Sequence, residues 1–192
     1  MYQGNSLIII PSYNEAENIV EIINDVLIQK ESFHLLIVDD NSPDKTYELV
    51  EEEIIKNPKK IFLIKREKKS GLGSAYLAGF KWAIENGYEK IFEMDADYSH
   101  DPKDLLRMNV FLDNDGYDVV IGSRYVSGVN VVNWPIQRVL LSYFASIYAR
   151  LITGVPVKDL TSGFVGYIVN VLKSILKAVS YTHLRAHETS SY

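Results

Sequence analysis

The sequence predicts an α/β fold in which a Rossmann-like, mostly parallel sheet carries helices on both faces. Short apolar runs rich in β-branched residues alternate with longer segments of helical apolar period, and this unit occurs four times before residue 115. Residues 1–179 are expected to form a single domain. Beyond residue 180 the apolar periodicity ends, so residues 180–192 are expected to be a disordered or foreign tail.

Composition limits the classes of function. The 192 residues include 20 Lys and Arg against 25 Asp and Glu, a net charge of −5, which argues against non-specific nucleic-acid binding. The absence of Cys excludes disulfides and thiolate metal sites. The N-terminal residues lack the basic and apolar regions of a signal peptide, and no uncharged span reaches membrane-crossing length.

The first two strand-to-helix units follow from apolar runs and helix-start signals. Leu7–Ile10 is predicted as a central strand closed by Pro11, with Asn14 as the N-cap of the following helix. The second strand is predicted over Leu35–Val38, followed by the acidic loop 39–44. The apolar period after this loop predicts a helix over 46–56.

The third and fourth units carry the most polar loops. A strand over Ile61–Ile64 precedes a loop with three Lys and one Arg, and Gly71-Leu72-Gly73 then opens a helix of small residues. The fourth strand, Ile91–Met94, runs directly into Asp95 and Asp97, and a helix is predicted over 102–112.

The C-terminal third is predicted to hold one strand and two helices. A fifth strand is expected over Asp118–Ile121, followed by a long loop through residue 133. Helical periodicity then predicts a helix from Pro135 to about Thr153 and a last one over Tyr167–Val179.

Two patterns indicate a site for an anionic ligand. Parallel strands bring the loops at their carboxyl ends to one edge of the sheet, so the loops after the four strands should meet. Asp95 and Asp97, two residues apart, are hard oxygen donors suited to Mg²⁺ or Mn²⁺ that also holds phosphates. Arg138 and Ser142 are four apart on one predicted helix and suit a phosphate. The alternatives are a helix-capping polar loop and a solvated Arg.

Seven motifs in unbroken order between Leu7 and Lys177 carry a family resemblance. They are P-S-Y-N-E at 11–15, V-D-D-N-S-P-D at 38–44, R-x-x-K-x-G-L-G-x-A-Y at 66–76, M-D-A-D-Y-S-H-D-P at 94–102, G-S-R-Y at 122–125, W-x-x-x-R-x-x-x-S at 134–142 and D-x-T-S-G-F at 159–164. In these motifs the chain resembles the polyprenol-phosphate (dolichol-phosphate) mannosyltransferases of glycosyltransferase family 2. The resemblance implies a GT-A fold.

The resemblance also implies an inverting transfer of mannose from GDP-mannose to a polyprenyl phosphate. It places the donor nucleotide against Pro11, Tyr13, Glu15, Asp39, Asp40, Lys69 and Asp95. Asp95 and Asp97 would bind the metal, Asp97 directly, with Ser99 acting through a water. Arg124, Arg138 and Ser142 would hold the acceptor phosphate, so that Asp97, Arg124 and Arg138 are the expected catalytic residues. No catalytic base is expected.

The implied setting is the cytoplasmic face of a membrane, where the protein would be peripheral. A membrane-anchoring subunit or a further C-terminal segment is expected, because the family's core continues beyond the point where this chain changes composition. The chain departs from the family at Val165, where Arg commonly follows T-S-G-F. Three alternatives stay open: a family 2 transferase using UDP-glucose, a dinucleotide oxidoreductase suggested by Gly71-x-Gly73, and an inactive, truncated sugar-nucleotide-binding remnant.

Overall fold

The computed structural model describes residues 6–29, 33–114, 116–123, 145, 147–148, 151–152, 154, 159 and 162–177. The strands in this part of the chain are β1 (Ser6–Ser12), β2 (Phe33–Asp39), β3 (Ile61–Lys65), β4 (Lys90–Glu93), β5 (Val119–Ile121) and β6 (Val165–Ile168). They form one sheet in the order β3-β2-β1-β4-β6-β5. The first four strands are parallel, and β6 is antiparallel to both of its neighbours. The predicted mostly parallel α/β sheet is confirmed.

Helices cover both faces of the sheet. They are α1 (Ile19–Leu27), α2 (Thr46–Lys56), α3 (Leu72–Glu85) and α4 (Asp104–Asn114), and residues 169–177 are also helical. One core layer joins α1, α2 and α4 to Ile8 and Ile10 of β1, and the other joins α3 to Leu7 and Ile9. Because both faces are covered, the central strands are apolar at successive positions instead of alternating with polar residues.

The connection pattern creates a crevice in the middle of the sheet. The chain moves from β1 outward to β2 and β3, and then returns to the other side of β1 to form β4. Helical connections therefore leave β1 and β4 in opposite directions, and the gap between their carboxyl ends is the usual ligand position in such sheets.

Two sequence-based predictions were wrong. Asn14 is not a helix N-cap, because α1 begins at Ile19 and Asn14 lies in a turn with φ of 61°. The strand β6 was not predicted, and Tyr167 and Ile168 were expected to be helical. They pair instead with Ile91 and Lys90 of β4, so contacts distant in sequence decide their conformation.

Several predictions fall mainly outside the described residues. Of the helix predicted from Pro135 to Thr153, residues 145, 147–148 and 151–152 are described, and they are helical. The tail 180–192 lies outside the described residues, and the single-domain assignment over 1–179 stays a prediction. Within the described part of the chain, no helix combines the length and the apolar character needed to cross a membrane.

Candidate active site

A cleft of about 330 Å³ lies at the crevice between the ends of β1 and β4. Its walls come from the end of β1 and the loop after it, from the residue that follows β2, from the loop between β3 and α3, from the start of α3 and from the loop after β4. The lining residues are Pro11, Ser12, Tyr13, Glu15, Asp40, Lys69, Gly71, Leu72, Ala75, Asp95, Ala96 and Asp97. All of the residues predicted to contact the donor or the metal are in this set, with the exception of Asp39.

Polar side chains after β2 hold the backbone after β1. The amide of Asn14 donates to Ser42 Oγ at 3.1 Å, and the amide of Glu15 donates to Thr46 Oγ1 at 3.0 Å. These bonds give the turn a defined path although it lacks regular secondary structure. The side chains of Tyr13 and Glu15 are thereby held at the wall of the cleft.

Asp39 supports the cleft from behind and does not line it. Its side chain is fully buried, and its carboxylate accepts hydrogen bonds from Ser12 Oγ at 2.9 Å and from the Ser42 amide at 2.9 Å. The Ser42 hydroxyl donates a third bond at 2.5 Å. Of the two adjacent aspartates predicted to contact the donor, Asp40 therefore lines the cleft, whereas Asp39 joins the ends of β1 and β2.

Asp40 anchors the basic loop between β3 and α3. Its carboxylate pairs with Arg66 at 2.9 Å and accepts a hydrogen bond from the Ser70 amide at 3.2 Å. Lys69, on the same loop, places its ammonium 3.9 Å from the ring centroid of Tyr13. This cation–π contact holds a positive charge at the cleft, where a phosphate group would benefit from it.

The two aspartates after β4 reach the cleft in different environments. Asp95 is half-buried, and its Oδ1 accepts a hydrogen bond from the Tyr76 hydroxyl at 3.1 Å. Gly163 packs so closely against the same carboxylate that a Cβ there would overlap with it. Asp97 is exposed and accepts a hydrogen bond from the Ser99 amide at 3.0 Å. Asp95 is thus rigidly supported, whereas Asp97 faces incoming ligand.

The acidic groups of the cleft also act on one another. Burial raises the pKa of Glu15, and the negative charges of Asp97, Asp44 and Asp95 raise it further against the lowering effect of a hydrogen bond from Asn18. A cation in this cleft would relieve that repulsion. A neighbouring depression of about 700 Å³ also includes Asp97, and its lining has carboxylates of α1 together with Lys103. The cleft is the better candidate for a ligand site because it lies at the carboxyl ends of β1 and β4.

A half-buried carboxylate close to Asp95 was not identified from the sequence. Glu93 lies two residues before Asp95 on β4, and its carboxylate accepts a hydrogen bond from the Tyr167 hydroxyl at 3.3 Å. Burial raises the pKa of Glu93 to about 7, and the charge of Asp95 adds to that rise. Burial and the same charges raise the pKa of Tyr76, which stays protonated and can donate to Asp95. The sequence feature that could have identified this group is an ionisable residue, Glu93, in a strand that is otherwise largely apolar.

The residues present fit a divalent cation shared with a phosphate ligand. The described residues contain no group of three or more His, Cys, Asp or Glu arranged around one point. Mg²⁺ and similar ions commonly take only one or two carboxylates and complete their shell with water and substrate phosphates. Asp95 and Asp97, with Lys69 across the same cleft, provide that incomplete set.

Of the four remaining predicted site residues, the structure describes Ser99 alone. Ser99 is buried, and its hydroxyl lies 3.2 Å from His100 Nδ1. Arg124, Arg138 and Ser142 lie outside the described residues. The acceptor site expected from them therefore stays a prediction.

Comparison with known proteins identifies relatives that include a phosphomannose synthase and a mannosyltransferase. The chain is 45% identical over 170 residues to a polyprenol monophosphomannose synthase of Mycolicibacterium smegmatis, covering 88% of this chain and 64% of that protein. It is 38% identical over 174 residues to a dolichol-phosphate mannosyltransferase of Pyrococcus furiosus, covering 88% of this chain and 47% of that protein. The chain thus spans about half to two thirds of the length of these relatives.

The fold also occurs among solved structures. A mannosyltransferase from Pyrobaculum calidifontis in complex with GDP-Man and Mn²⁺ superimposes with a TM-score of 0.62 at 19% identity, covering 88% of this chain and 46% of that one. This likeness shows the fold, which is GT-A. Residues 7–176 match the family described as glycosyl transferase family 2. With the relatives at 45% and 38% identity, this match shows that the chain belongs to glycosyl transferase family 2.

Proposed function

We propose that the protein transfers mannose from GDP-mannose to a polyprenyl phosphate, with inversion at the anomeric carbon. The observation that carries the proposal is the cleft, where Tyr13, Glu15, Asp40, Lys69 and the aspartate pair meet at the carboxyl ends of β1 and β4. The names of the relatives support the choice of sugar and of lipid class. Membership of glycosyl transferase family 2 rules out the alternative hypothesis of a dinucleotide oxidoreductase.

The donor is proposed to lie along the cleft. Pro11, Tyr13, Glu15 and Asp40 line the cleft, and from the family resemblance we propose that they contact its nucleoside. The diphosphate would lie between Lys69 and the aspartates. Mg²⁺ or Mn²⁺ bound by Asp95 and Asp97 would act as a Lewis acid toward the departing diphosphate.

The acceptor needs positioning more than activation. A phosphate monoester oxygen is the nucleophile, and it is largely ionised near neutral pH because its second pKa is about 6. No residue has to remove a proton from it. Arg124, Arg138 and Ser142 are proposed to hold this phosphate and to offset its repulsion from the donor diphosphate.

Because the proposed acceptor is a lipid, sugar transfer would take place at a membrane surface. We propose a peripheral association at the cytoplasmic face, through residues beyond those described or through an anchoring subunit. An acceptor with a long isoprenoid tail stays in the bilayer, so the cleft must open toward the membrane during transfer.

The proposal is tested by offering labelled donors to the full-length protein. GDP-[¹⁴C]mannose and UDP-[¹⁴C]glucose are each incubated with polyprenyl phosphate and Mn²⁺, and label is followed into the organic phase. Polyprenol without phosphate is the control acceptor, and EDTA is the control for metal. Label entering the lipid from GDP-mannose alone supports the proposal. Transfer only from UDP-glucose would assign another sugar, and transfer from neither donor would leave the chain as a binding remnant.

A further inference from the structure

The segment 162–164 lies between the aspartate loop and the loop after β5. Gly163 packs on the Asp95 carboxylate. Ser162 Oγ donates to the Gly122 carbonyl at 2.6 Å, and the Gly122 amide donates to the Phe164 carbonyl at 2.8 Å. The segment therefore contacts the aspartate loop on one side and the loop that begins at Gly122 on the other.

His100 completes the link from the side of the aspartate loop. Its Nε2 lies 3.2 Å from Ser162 Oγ, and its ring lies on Phe164 with centroids 5.0 Å apart. The single hydroxyl hydrogen of Ser162 is used toward the Gly122 carbonyl, so Ser162 Oγ accepts from His100. The bonding pattern thus assigns a proton to Nε2, and Nδ1 lies 3.2 Å from the Ser99 hydroxyl.

These contacts connect the loop that carries the proposed metal ligands to the loop that leads into the proposed acceptor site. His100 follows Asp97 by three residues, whereas Gly122 and Ser123 lead directly into Arg124, which the proposed function assigns to the acceptor phosphate. In the sheet, β6 separates β4 from β5, so these two loops have no strand pairing with each other. The link through His100 and Ser162 supplies a direct connection.

We propose that His100 is a positioning residue for sugar transfer, which sets the Gly122 loop relative to Asp95 and Asp97 through Ser162. This inference rests on the proposed function, because it assumes that donor and acceptor meet between these loops. His100 is not among the residues that line the cleft, and no contact of its ring with either reactant is proposed. Its effect is on the geometry in which they meet, and small misplacements of reacting groups cost much in rate.

The first test separates positioning from folding by matched variants of the full-length protein. His100→Phe keeps a ring on Phe164 and removes the hydrogen bonds, and His100→Gln keeps an N–H donor near the Nε2 position. Ser162→Ala removes the partner. Ser174→Ala is the control, because that exposed hydroxyl bonds only locally to the Asn170 carbonyl on the helix 169–177.

We expect His100→Phe to lower kcat by about tenfold to a hundredfold, while the Kd for GDP with Mn²⁺ changes by less than about threefold. His100→Gln should recover most of the loss, and Ser174→Ala should match the wild type. Adding His100→Phe to Ser162→Ala should cause little further loss, because Ser162→Ala already removes the hydroxyl through which His100 acts. Unchanged kcat in His100→Phe, multiplicative losses in the double variant, or failure of His100→Gln to recover activity would each overturn the proposal.

A second readout does not depend on transfer. Hydrogen exchange is measured with and without GDP and Mn²⁺ over peptides covering 95–101, 116–123 and 162–168. We expect ligand to slow exchange in all three peptides of the wild type. In His100→Phe the effect on 116–123 should be lost, whereas 162–168 still responds through the contact of Gly163 with Asp95. If neither donor gives transfer, the proposed function fails, but the hydrogen-exchange pattern still tests the positioning role of His100. Protection confined to 95–101 in the wild type would reject the role of His100, even in an active enzyme.

Discussion

Asp97 differs from the other acidic residues around it because it is exposed and faces the cleft. Its Oδ1 accepts the Ser99 amide, which fixes its orientation without burying it. We expect Asp97→Asn to lower kcat by about 10²–10³, the usual cost of losing one preorganised electrostatic contact to a developing charge. The measurement is labelled mannose transfer at saturating Mn²⁺.

Asp101→Asn is the matched control for Asp97. Asp101 lies four residues later in the same loop and caps the turn by accepting the Lys103 amide at 2.9 Å. Asparagine can keep that bond, so the variant removes a nearby charge without removing a proposed ligand. Equal activity of Asp97→Asn and the wild type would dismiss Asp97 as a metal ligand.

Glu93 gives the protein a pH dependence of stability that the cleft surface does not reveal. Its pKa is 4.5 in an ordinary environment and about 7 in the fold. Between these values the folded state holds a proton that the unfolded state has lost, so stability falls as pH rises from about 4.5 to 7. The full cost, up to about 3 kcal/mol, is present above pH 7.

Replacing Glu93 tests this directly. Glu93→Gln keeps an acceptor for the Tyr167 hydroxyl and cannot ionise, so at pH 8 it should be more stable than the wild type by about 2 kcal/mol. Near pH 4 the two proteins should be nearly equal. The measurement is urea unfolding at both pH values in EDTA, because a bound cation would favour the ionised carboxylate. A less stable Glu93→Gln at pH 8 would contradict the expectation.

At the scale of single residues, the sequence was enough to predict which loops meet at the cleft, but not which side chain of each loop lines it. Strand ends and polar loops were enough to group Tyr13, Lys69 and the aspartate pair. They were not enough to separate Asp39 from Asp40, since adjacent carboxylates look alike until the neighbouring Ser12 and Ser42 are placed. That distinction depends on contacts between loops far apart in sequence.

At the scale of elements, the segment that leads into β6 packs against one of the aspartates of the cleft. The strand β6 continues the segment 162–164, and Gly163 within that segment lies on the Asp95 carboxylate. We expect Gly163→Ala to displace that carboxylate, lowering metal-dependent transfer by about tenfold or more, as misplacement of a catalytic group does. Unfolding should change by no more than about 1–3 kcal/mol, the usual cost of overpacking.

The measurements for Gly163→Ala are transfer across a range of Mn²⁺ concentrations and urea unfolding. A displaced ligand should raise the Mn²⁺ concentration needed for half-maximal rate. Gly163→Ala with wild-type Mn²⁺ dependence would mean that Asp95 moves without consequence for the metal.

The elements that the sequence missed share a physical cause. The helix start at Asn14 was predicted from a local capping pattern, but bonds to Ser42 and Thr46 extend the turn and delay the helix to Ile19. The strand β6 has only four residues, and its neighbour β4 supplies the pairing that makes it extended. In both cases distant contacts outweigh a local preference. The long, periodic elements α2 and β1 were predicted well because their signals are local.

At the scale of the whole molecule, the described residues contain the donor half of the proposed site. The cleft is built from residues 11–97, whereas the residues proposed for the acceptor, Arg124, Arg138 and Ser142, follow the sheet's fifth strand in sequence. Donor binding should therefore be measurable without any lipid. This separation gives a prediction about binding that is independent of turnover.

Donor binding should stabilise the fold in a metal-dependent way. A ligand that binds only the folded state at a hundred times its Kd adds about 2.7 kcal/mol to the unfolding free energy. We expect GDP with Mn²⁺ to raise the Tm of the full-length protein, since Lys69 and the aspartate pair together suit a metal-bound diphosphate. GDP with EDTA should raise it much less, because the carboxylates then repel the phosphates. In Asp97→Asn the difference between Mn²⁺ and EDTA should largely disappear. Equal stabilisation by GDP with Mn²⁺ and with EDTA would show that the nucleotide binds without the metal.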